Sequence, residues 1–205
     1  MSHDSFTVTI VDDDPAVLKA MERLVRSMGW KAMTFASPAE FLNAYDPRQQ
    51  GCLIIDMAMP GLNGLELQRK LGESRATPPI IFLSGTNQIP DIVSAMKQGA
   101  IDFLIKPVDE SVLFQAIRSA FEQERAGRQA RAELIDIESR LQSLTSRERE
   151  VFEHVVSGQL NKQIAADLGI VESTIKVHRA RVMEKMGAES LAELVQFAQR
   201  LGIQQ

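Results

Sequence analysis

The side chains most able to do chemistry in the first half of the sequence stand where short apolar runs end. These positions are Asp12 and Asp13, Asp56, Ser84, and Lys106. Carboxylates in one crevice repel each other unless a cation neutralises them, and a donor set of oxygens alone favours Mg²⁺ over zinc or copper. Phosphoryl transfer needs such neutralisation and a nucleophile, which a carboxylate becomes when it forms an acyl phosphate. Asp56 is the predicted nucleophile, and Lys106 is predicted to neutralise a phosphoryl oxygen.

These residues work together only if the fold brings them to one place. Strand-like apolar runs alternate with helical patterns, at Thr7–Val11, Lys31–Phe35, Cys52–Ile55, Pro79–Leu83 and Asp102–Ile105. Such alternation predicts a parallel sheet covered on both faces, because right-handed crossovers leave few other topologies. We therefore predict a doubly wound, five-stranded α/β domain whose functional groups collect at the carboxyl ends of its strands.

Helix start signals agree with this architecture. The pairs Asp14-Pro15 and Ser37-Pro38 each place a capping side chain before a proline in the first helical position. Assigning Asp14 to a cap leaves the two acids before it to face the cavity. A lone aspartate at a strand end more commonly makes turn hydrogen bonds. The role predicted for Asp56 therefore depends on the convergence of the other groups.

Composition sets the limits for the whole chain. With 205 residues and a formal net charge of −4, the chain has room for two small domains and has no overall basic character. Cys52 is the single cysteine, so neither an internal disulfide nor a cysteine metal site can form. The N-terminus lacks a basic leader, and no window resembles a membrane span. We expect a cytoplasmic protein that contacts no membrane.

Residues 122–144 form a charged, proline-free segment with an apolar stripe at helical spacing. The stripe consists of Ala126, Ala130, Leu134, Ile137, Leu141 and Leu144. It predicts a linker helix. Two interpretations remain open, namely an amphipathic helix that lies on either domain and a short two-stranded coiled coil.

From residue 145 the chain is predicted to be all helical. Thr145 and Glu148 form a capping-box pattern at the start of a helix. Two further helical segments surround the Leu168-Gly169 turn, which is the arrangement of a helix-turn-helix. The second of them, Glu172–Met186, is locally basic.

The basic character of Glu172–Met186 comes from Lys176, Arg179, Arg181 and Lys185. Against them, the region from Thr145 onward holds eight Lys or Arg and eight Asp or Glu. One copy therefore attracts DNA phosphates weakly, which predicts that the protein binds DNA as a dimer.

Residues 7–121 resemble a response-regulator receiver domain, through "IVDDD", "LIIDMAMPG", "FLSG" and "DFLIKP". The resemblance implies that Asp56 accepts phosphate from a sensor histidine kinase. It also implies that Asp13, Asp56 and the backbone carbonyl of Ala58 hold Mg²⁺, with Asp12 acting largely through water. Ser84 and Phe103 would form the switch pair that remodels the face of the fourth helix and fifth strand, and the Lys106-Pro107 peptide would be cis.

Residues 145–205 resemble the LuxR-type DNA-binding domain, through "LTSREREV", "NKQIAADLGI" and "STIKVHRARVMEKM". With the receiver, this matches the FixJ branch of the NarL/FixJ transcriptional regulators. The resemblance implies double-stranded promoter DNA as the ligand, a homodimer on phosphorylation, and RNA polymerase as a further partner. The residues it implies in DNA binding are Lys176 and Val177 at base edges, Arg179 and Arg181 near them, and Thr174 and Lys162 near phosphates.

Single residues mark one departure from the family pattern and argue against two rival classes of protein. Val171 stands where many relatives have a serine that caps the recognition helix, so the start of this helix is expected to fray or to depend on Ser173. An aspartyl phosphatase would need a general acid two residues after Asp56, but Ala58 cannot donate a proton. A quorum-type ligand-binding activator would need a large apolar pocket with few acids.

Overall fold

The computed structural model describes residues 6–72, 77–86 and 89–203. The chain divides into two compact units, Met1–Gly127 and Arg128–Gln205, which are treated separately below. Among the described residues, no helix has both the length and the apolar character needed to cross a bilayer.

The first unit contains a five-stranded parallel sheet with strand order β2-β1-β3-β4-β5. Its strands are β1 (Thr7–Val11), β2 (Lys31–Phe35), β3 (Gly51–Asp56), β4 (Ile80–Ser84) and β5 (Asp102–Ile105). Its helices are α1 (Pro15–Ser27), α2 (Pro38–Ala44), α3 (Gly64–Gly72), α4 (Ile89–Lys97) and the start of α5 (Glu110–Gln142). The predicted doubly wound α/β fold is confirmed.

Two apolar clusters cover the two faces of this sheet. Ile54 packs in a cluster with residues of α1 and α5, whereas its neighbours Leu53 and Ile55 pack with residues of α2, α3 and α4. This division follows from the two-residue period of a strand. Because both faces are buried, β3 reads as an unbroken apolar run in the sequence.

The caps predicted from sequence are present. Asp14 Oδ1 accepts from the amide of Ala16 at 2.8 Å, and Ser37 Oγ accepts from the amide of Glu40 at 3.2 Å. Each cap satisfies an amide that the first helical turn leaves unpaired. These fixed helix starts hold the loops that follow β1 and β2.

The one tryptophan and the one cysteine of the chain lie in the core of the first unit. Trp30 packs against Phe6 and Phe121, with ring centroids 5.2 and 5.3 Å away. Cys52 is buried in β3, and burial raises the pKa of its thiol. The tryptophan therefore reports on the folding of this unit, and the thiol stays protonated at neutral pH.

The predicted linker segment is helical through residue 142, as the continuation of α5. Ile137, Leu141 and Leu144 are buried in the core of the second unit, whereas Ala126 and Ala130 are exposed. The C-terminal part of the predicted stripe thus packs within the second unit.

The second unit is all helical, as predicted. After the end of α5 it contains α6 (Ser146–Val156), α7 (Asn161–Leu168), α8 (Glu172–Met186) and α9 (Leu191–Arg200). The capping box is confirmed, because Thr145 Oγ1 accepts from the amide of Glu148 and the Glu148 carboxylate accepts from the amide of Thr145. Between α7 and α8, Gly169 adopts φ +66°, a left-handed conformation that glycine takes at little cost.

The buried carboxylate of Glu148 also makes an ion pair with a half-buried lysine in the last turn of α8. Its Oε2 lies 2.6 Å from Nζ of Lys185, and Glu148 is only 3% exposed. The hydrogen bond from Lys185, followed by that from the Thr145 amide, lowers the pKa of Glu148 to about 2. Part of the positive charge of α8 is therefore neutralised within the domain, because the ammonium of Lys185 is paired with Glu148.

We predict that Glu148→Gln lowers the stability of the second unit at neutral pH, since glutamine keeps the cap but loses the charge. A depressed folded pKa gives stability above the unfolded carboxyl value of about 4.3, and this stability disappears as the pH falls toward about 2. The free energies of unfolding of parent and variant, measured by urea titration with amide exchange in α6 and α8 as the probe, should converge over that window.

The matched control is Glu150→Gln, which removes an exposed pair with Arg147 on the same helix. We expect this change to have little effect, because exposed ion pairs contribute little to stability. Two outcomes would contradict the assignment. One is an equal loss of unfolding free energy in the two variants, and the other is a difference in unfolding free energy between Glu148→Gln and the parent that does not change with pH.

Candidate functional site

Three strand ends of the first unit meet at one point. Val11 pairs with Ile55 in register, so the next residues, Asp12 and Asp56, stand side by side at the carboxyl edge. Lys106 follows β5, and its Nζ lies 2.6 Å from both Asp12 Oδ2 and Asp56 Oδ1. The predicted convergence of these three side chains is present.

This ion-pair cluster is largely buried. Asp12 is 1% exposed and Asp56 is 6% exposed, while a quarter of the Lys106 side chain reaches solvent (25%). Burial lowers the pKa of Lys106, but the hydrogen bonds with the two carboxylates outweigh it and raise the pKa above its ordinary value. Lys106 is therefore a permanent cation at neutral pH.

The remaining carboxylate oxygens bind backbone amides. Asp12 Oδ1 accepts from the amide of Asp14 at 2.9 Å, and Asp56 Oδ2 accepts from the amide of Ala58 at 2.8 Å. Each carboxylate is thus held at both oxygens, which fixes the direction in which it faces. Asp56 presents its Oδ1 edge toward Lys106, at the open end of the sheet.

The structure does not bring Asp13 into this cluster. Asp13 is exposed, and the described residues contain no group of three His, Cys, Asp or Glu side chains that could hold a metal ion. The donor chemistry nevertheless fits a hard divalent cation, because oxygens from carboxylates and a carbonyl are the ligands that Mg²⁺ prefers. Two buried carboxylates against one ammonium also leave a net negative charge.

Ser84 ends β4 beside this cluster and is buried. Its Oγ donates to the carbonyl oxygen of Thr86 at 2.8 Å and accepts from the Thr86 amide at 3.1 Å. Phe103 in β5 is half-buried, with its ring centroid 6.4 Å from that of Phe82. The Lys106-Pro107 peptide is cis, as the resemblance implied.

Sequence reasoning missed Gly64, which begins α3 under the same site. A β-carbon at this position would lie 2.7 Å from the carbonyl oxygen of Asp56, which is closer than any real side chain allows. The signal in the sequence was the second glycine of the segment from Gly61 to Gly64, which follows the end of the strand at Asp56. Glycine is required there because the backbone of the helix passes so near the acidic strand end.

In the second unit, α8 buries one stripe and exposes the rest. Ile175, Val182 and Met186 are fully buried, as predicted. The exposed side chains include three of the predicted DNA-contacting residues, Lys176, Val177 and Arg181. This division leaves a polar and basic helix surface facing solvent.

The other predicted DNA-contacting residues lie close to that surface or on the preceding helix. Lys162 is exposed on α7, whereas Thr174 and Arg179 are half-buried. Arg179 Nη1 donates to Asn161 Oδ1 at 3.2 Å, which links α8 to the start of α7. Asn161 was missed because nothing in the sequence shows a contact between residues eighteen positions apart.

The start of α8 is not capped by a side chain, as expected from Val171. The helix nevertheless begins at Glu172, and the carbonyl of Val171 accepts from the amides of Thr174 and Ile175. Backbone hydrogen bonds thus close the first turn of α8.

Comparison with known families agrees with both units. Residues 8–118 match the model described as response regulator receiver domain, and residues 142–198 match the model described as bacterial regulatory proteins, luxR family. The chain belongs to the response regulators that join a receiver to a LuxR-type DNA-binding domain, as in the NarL/FixJ family.

Several relatives are similar over almost their whole length. Response regulator protein TmoT of Ectopseudomonas mendocina is 43% identical over 98% of this chain and 91% of its own. Transcriptional regulatory protein FixJ of Azorhizobium caulinodans is 41% identical over 98% and 95%. The solved structure of response regulator StyR is 42% identical with a TM-score of 0.83 and covers 96% of this chain and 99% of its own.

We predict that Lys106→Met destabilises the first unit, because it leaves two buried carboxylates facing each other without their cation. The expected loss is roughly 2–4 kcal/mol, the cost of removing one partner of a buried ion pair, reduced for the partial exposure of the lysine. Urea denaturation followed by Trp30 fluorescence, with divalent cations chelated, measures it.

Lys97→Met is the control, since it removes an exposed lysine from the same unit. The raised pKa of Lys106 means that its stabilising effect is complete below about pH 10.4 and is lost as the pH rises through its folded value. Adding Asp12→Asn to the Lys106→Met variant should restore part of the lost stability. If it does not, the loss does not come from two buried carboxylates without their cation.

Proposed function

We propose that this response regulator accepts a phosphoryl group on Asp56 from a sensor histidine kinase and, as a dimer, binds promoter DNA to regulate transcription. The observation that carries the acceptor assignment is the position of Asp56, buried at the sheet edge with its Oδ1 2.6 Å from Lys106 Nζ. We assign the receiver to residues 7–121, the linker to 122–144 and the DNA-binding domain to 145–205. Because the ligand is promoter DNA, we place the protein in the cytoplasm.

The transfer is a displacement at phosphorus. A carboxylate oxygen of Asp56 forms the new P–O bond while the P–N bond of the kinase phosphohistidine breaks and its electron pair returns to the imidazole. Lys106 then has a phosphoryl oxygen as a partner within reach of its ammonium. Asp12 stays paired with Lys106 and keeps it at the site.

Mg²⁺ would be held by Asp13, Asp56 and the backbone carbonyl of Ala58, with Asp12 acting largely through water. Bound there, it would neutralise phosphoryl oxygens during transfer. The oxygen donors and the net negative charge at this edge support the proposal. The exposed position of Asp13 leaves its side chain accessible to a cation from solvent.

Ser84 and Phe103 would change position when Asp56 is phosphorylated. Ser84 Oγ is engaged with the backbone of Thr86, so turning toward a phosphoryl oxygen would release the loop that leads to α4. Beyond that loop, exposed apolar side chains lie on α4 and β5, namely Ile89, Val93, Met96 and Ile105. We propose this face as the surface that pairs two phosphorylated receivers.

The DNA-binding residues follow from the surface of the second unit. Lys176 and Val177 would contact base edges, with Arg179 and Arg181 near them, while Thr174 and Lys162 hold phosphates. With Lys185 engaged by Glu148, fewer cations face DNA than the sequence suggested. This shortage strengthens the case for a dimer, in which two half-sites add their phosphate contacts. RNA polymerase is the further partner that such a complex would contact.

We predict that Asp56→Asn abolishes labelling by radioactive acetyl phosphate, because an amide oxygen is a poor nucleophile. Urea denaturation of the variant should show that the first unit stays folded, since asparagine keeps an oxygen for the Ala58 amide. The parent adduct should survive acid and be released by base, as an acyl phosphate would be. Labelling of the variant to the level of the parent would assign the acceptor elsewhere.

A second prediction concerns the two lysines of the DNA-binding domain. Lys176→Ala should cost on the order of 1–3 kcal/mol on the operator and remove discrimination at one base pair in each half-site. Its exposed pair with Glu172, 3.5 Å long, contributes little and should not mask this effect.

Lys162→Ala is the matched comparison, since Lys162 lies on the preceding helix, which crosses the backbone in this motif. It should weaken binding to operator and random DNA alike and reduce the salt slope by roughly one per subunit. Binding of both variants to an operator library at two salt concentrations separates the roles. If Lys176→Ala keeps the full sequence preference, the assigned face of α8 is wrong.

A further inference from the structure

Gln68 is a buried amide that joins α3 to the C-terminal end of α4. It is 3% exposed, and its Nε2 donates to the carbonyl oxygens of Ala95 at 3.3 Å and Gln98 at 3.2 Å. Its neighbours on the buried face of α3 are Leu67 and Leu71. An amide among apolar side chains needs a reason, because a leucine or methionine would fill the same volume without burying polar atoms.

Few side chains of α4 are buried. Of its nine residues, all of them described, only Ala95 is buried, and it contributes no more than one methyl group. Ile89, Val93 and Met96 face solvent. Ile92 is half-buried, and Ala100, which follows the helix, is buried in the core. The apolar attachment of α4 is thus limited, and the two hydrogen bonds from Gln68 add to it at the C-terminal end.

The amide of Gln68 is also incompletely satisfied. Its Oε1 is buried and has no hydrogen-bond partner among the residues that the structure describes. A buried acceptor without a donor is costly, and native proteins keep few of them. The side chain is therefore better explained by the position of its donors than by the stability it provides.

We propose that Gln68 is a positioning residue that fixes the C-terminal end of α4, so that a signal from Asp56 displaces α4 by pivoting it about that end. The N-terminal end of α4 follows Thr86 in the chain, whose backbone is hydrogen-bonded to Ser84, whereas the other end is tied to α3. This inference rests on the proposed function, because it describes how phosphorylation of Asp56 reaches the exposed apolar face of α4. A helix fixed at one end converts a local loop movement into a directed rotation of that face.

The test compares Gln68→Met with Gln98→Ala in the full chain. Methionine keeps the length and volume of Gln68 and removes both donors. Gln98→Ala is the matched control, because it removes an exposed amide from the same helix end and leaves the carbonyl that Gln68 binds. Both are made also in the Asp56→Asn background, where phosphorylation does not occur.

Hydrogen exchange supplies the first readout, without phosphorylation. Gln68→Met should speed exchange of the amides of Gln98, Gly99 and Ala100 by roughly tenfold, as expected for the loss of two buried hydrogen bonds, and leave α3 and β3 unchanged. Gln98→Ala should leave Gly99 and Ala100 unchanged. Equal protection of these amides in Gln68→Met and parent would overturn the proposed attachment.

Phosphorylation supplies the second readout. With acetyl phosphate, Gln68→Met should be labelled as fully as the parent, but the gain in dimer affinity on labelling should fall by at least about fivefold, the lower end of typical coupling energies. A full gain in the variant, or dimerisation without phosphate, would overturn the pivot. If the parent itself is not labelled, the proposed function fails, while the exchange result in the Asp56→Asn background still decides the attachment of α4.

Discussion

The paired carboxylates and their shared ammonium are the constraint around which the first unit is organised. Asp12 and Asp56 come from adjacent strands, whereas Lys106 follows β5, so its side chain reaches past the end of β4 to meet them. Adjacent strands lie about 4.8 Å apart, so this reach is possible only if all four strands end at the same level. The register of the sheet and the charge balance of the site therefore depend on each other.

This dependence explains why the site can respond to one added group. Before phosphorylation, Lys106 is shared between two carboxylates, and Ser84 is engaged by the loop beside it. A phosphoryl group on Asp56 would compete for both the ammonium and the hydroxyl. Since each of these side chains ends a different strand, a change at one atom reaches several loops at once.

Much of this arrangement could be predicted from the sequence because it depends on local patterns. Apolar runs gave β1, β2 and β5 at their observed bounds, and β3 and β4 to within one residue at each end. Sequence alone could not show that Asp12 is buried against Lys106 whereas Asp13 is exposed, because two adjacent aspartates after a strand form the same local pattern. The ion pair of Lys185 with Glu148 and the bonds of Gln68 were also missed. They join residues 37, 27 and 30 positions apart, and no local pattern encodes such contacts.

The burial of Cys52 has a practical consequence for labelling the protein at chosen positions. The thiol lies in the middle of the sheet with its pKa raised, so it forms little of the thiolate that reacts with oxidants and alkylating labels. As the single cysteine of the chain, it leaves the surface without a native reactive thiol. A cysteine introduced on an exposed position of α4 or α8 would then be the one site that takes a fluorophore or spin label. Such labels could therefore be used for distance measurements without first removing a native cysteine.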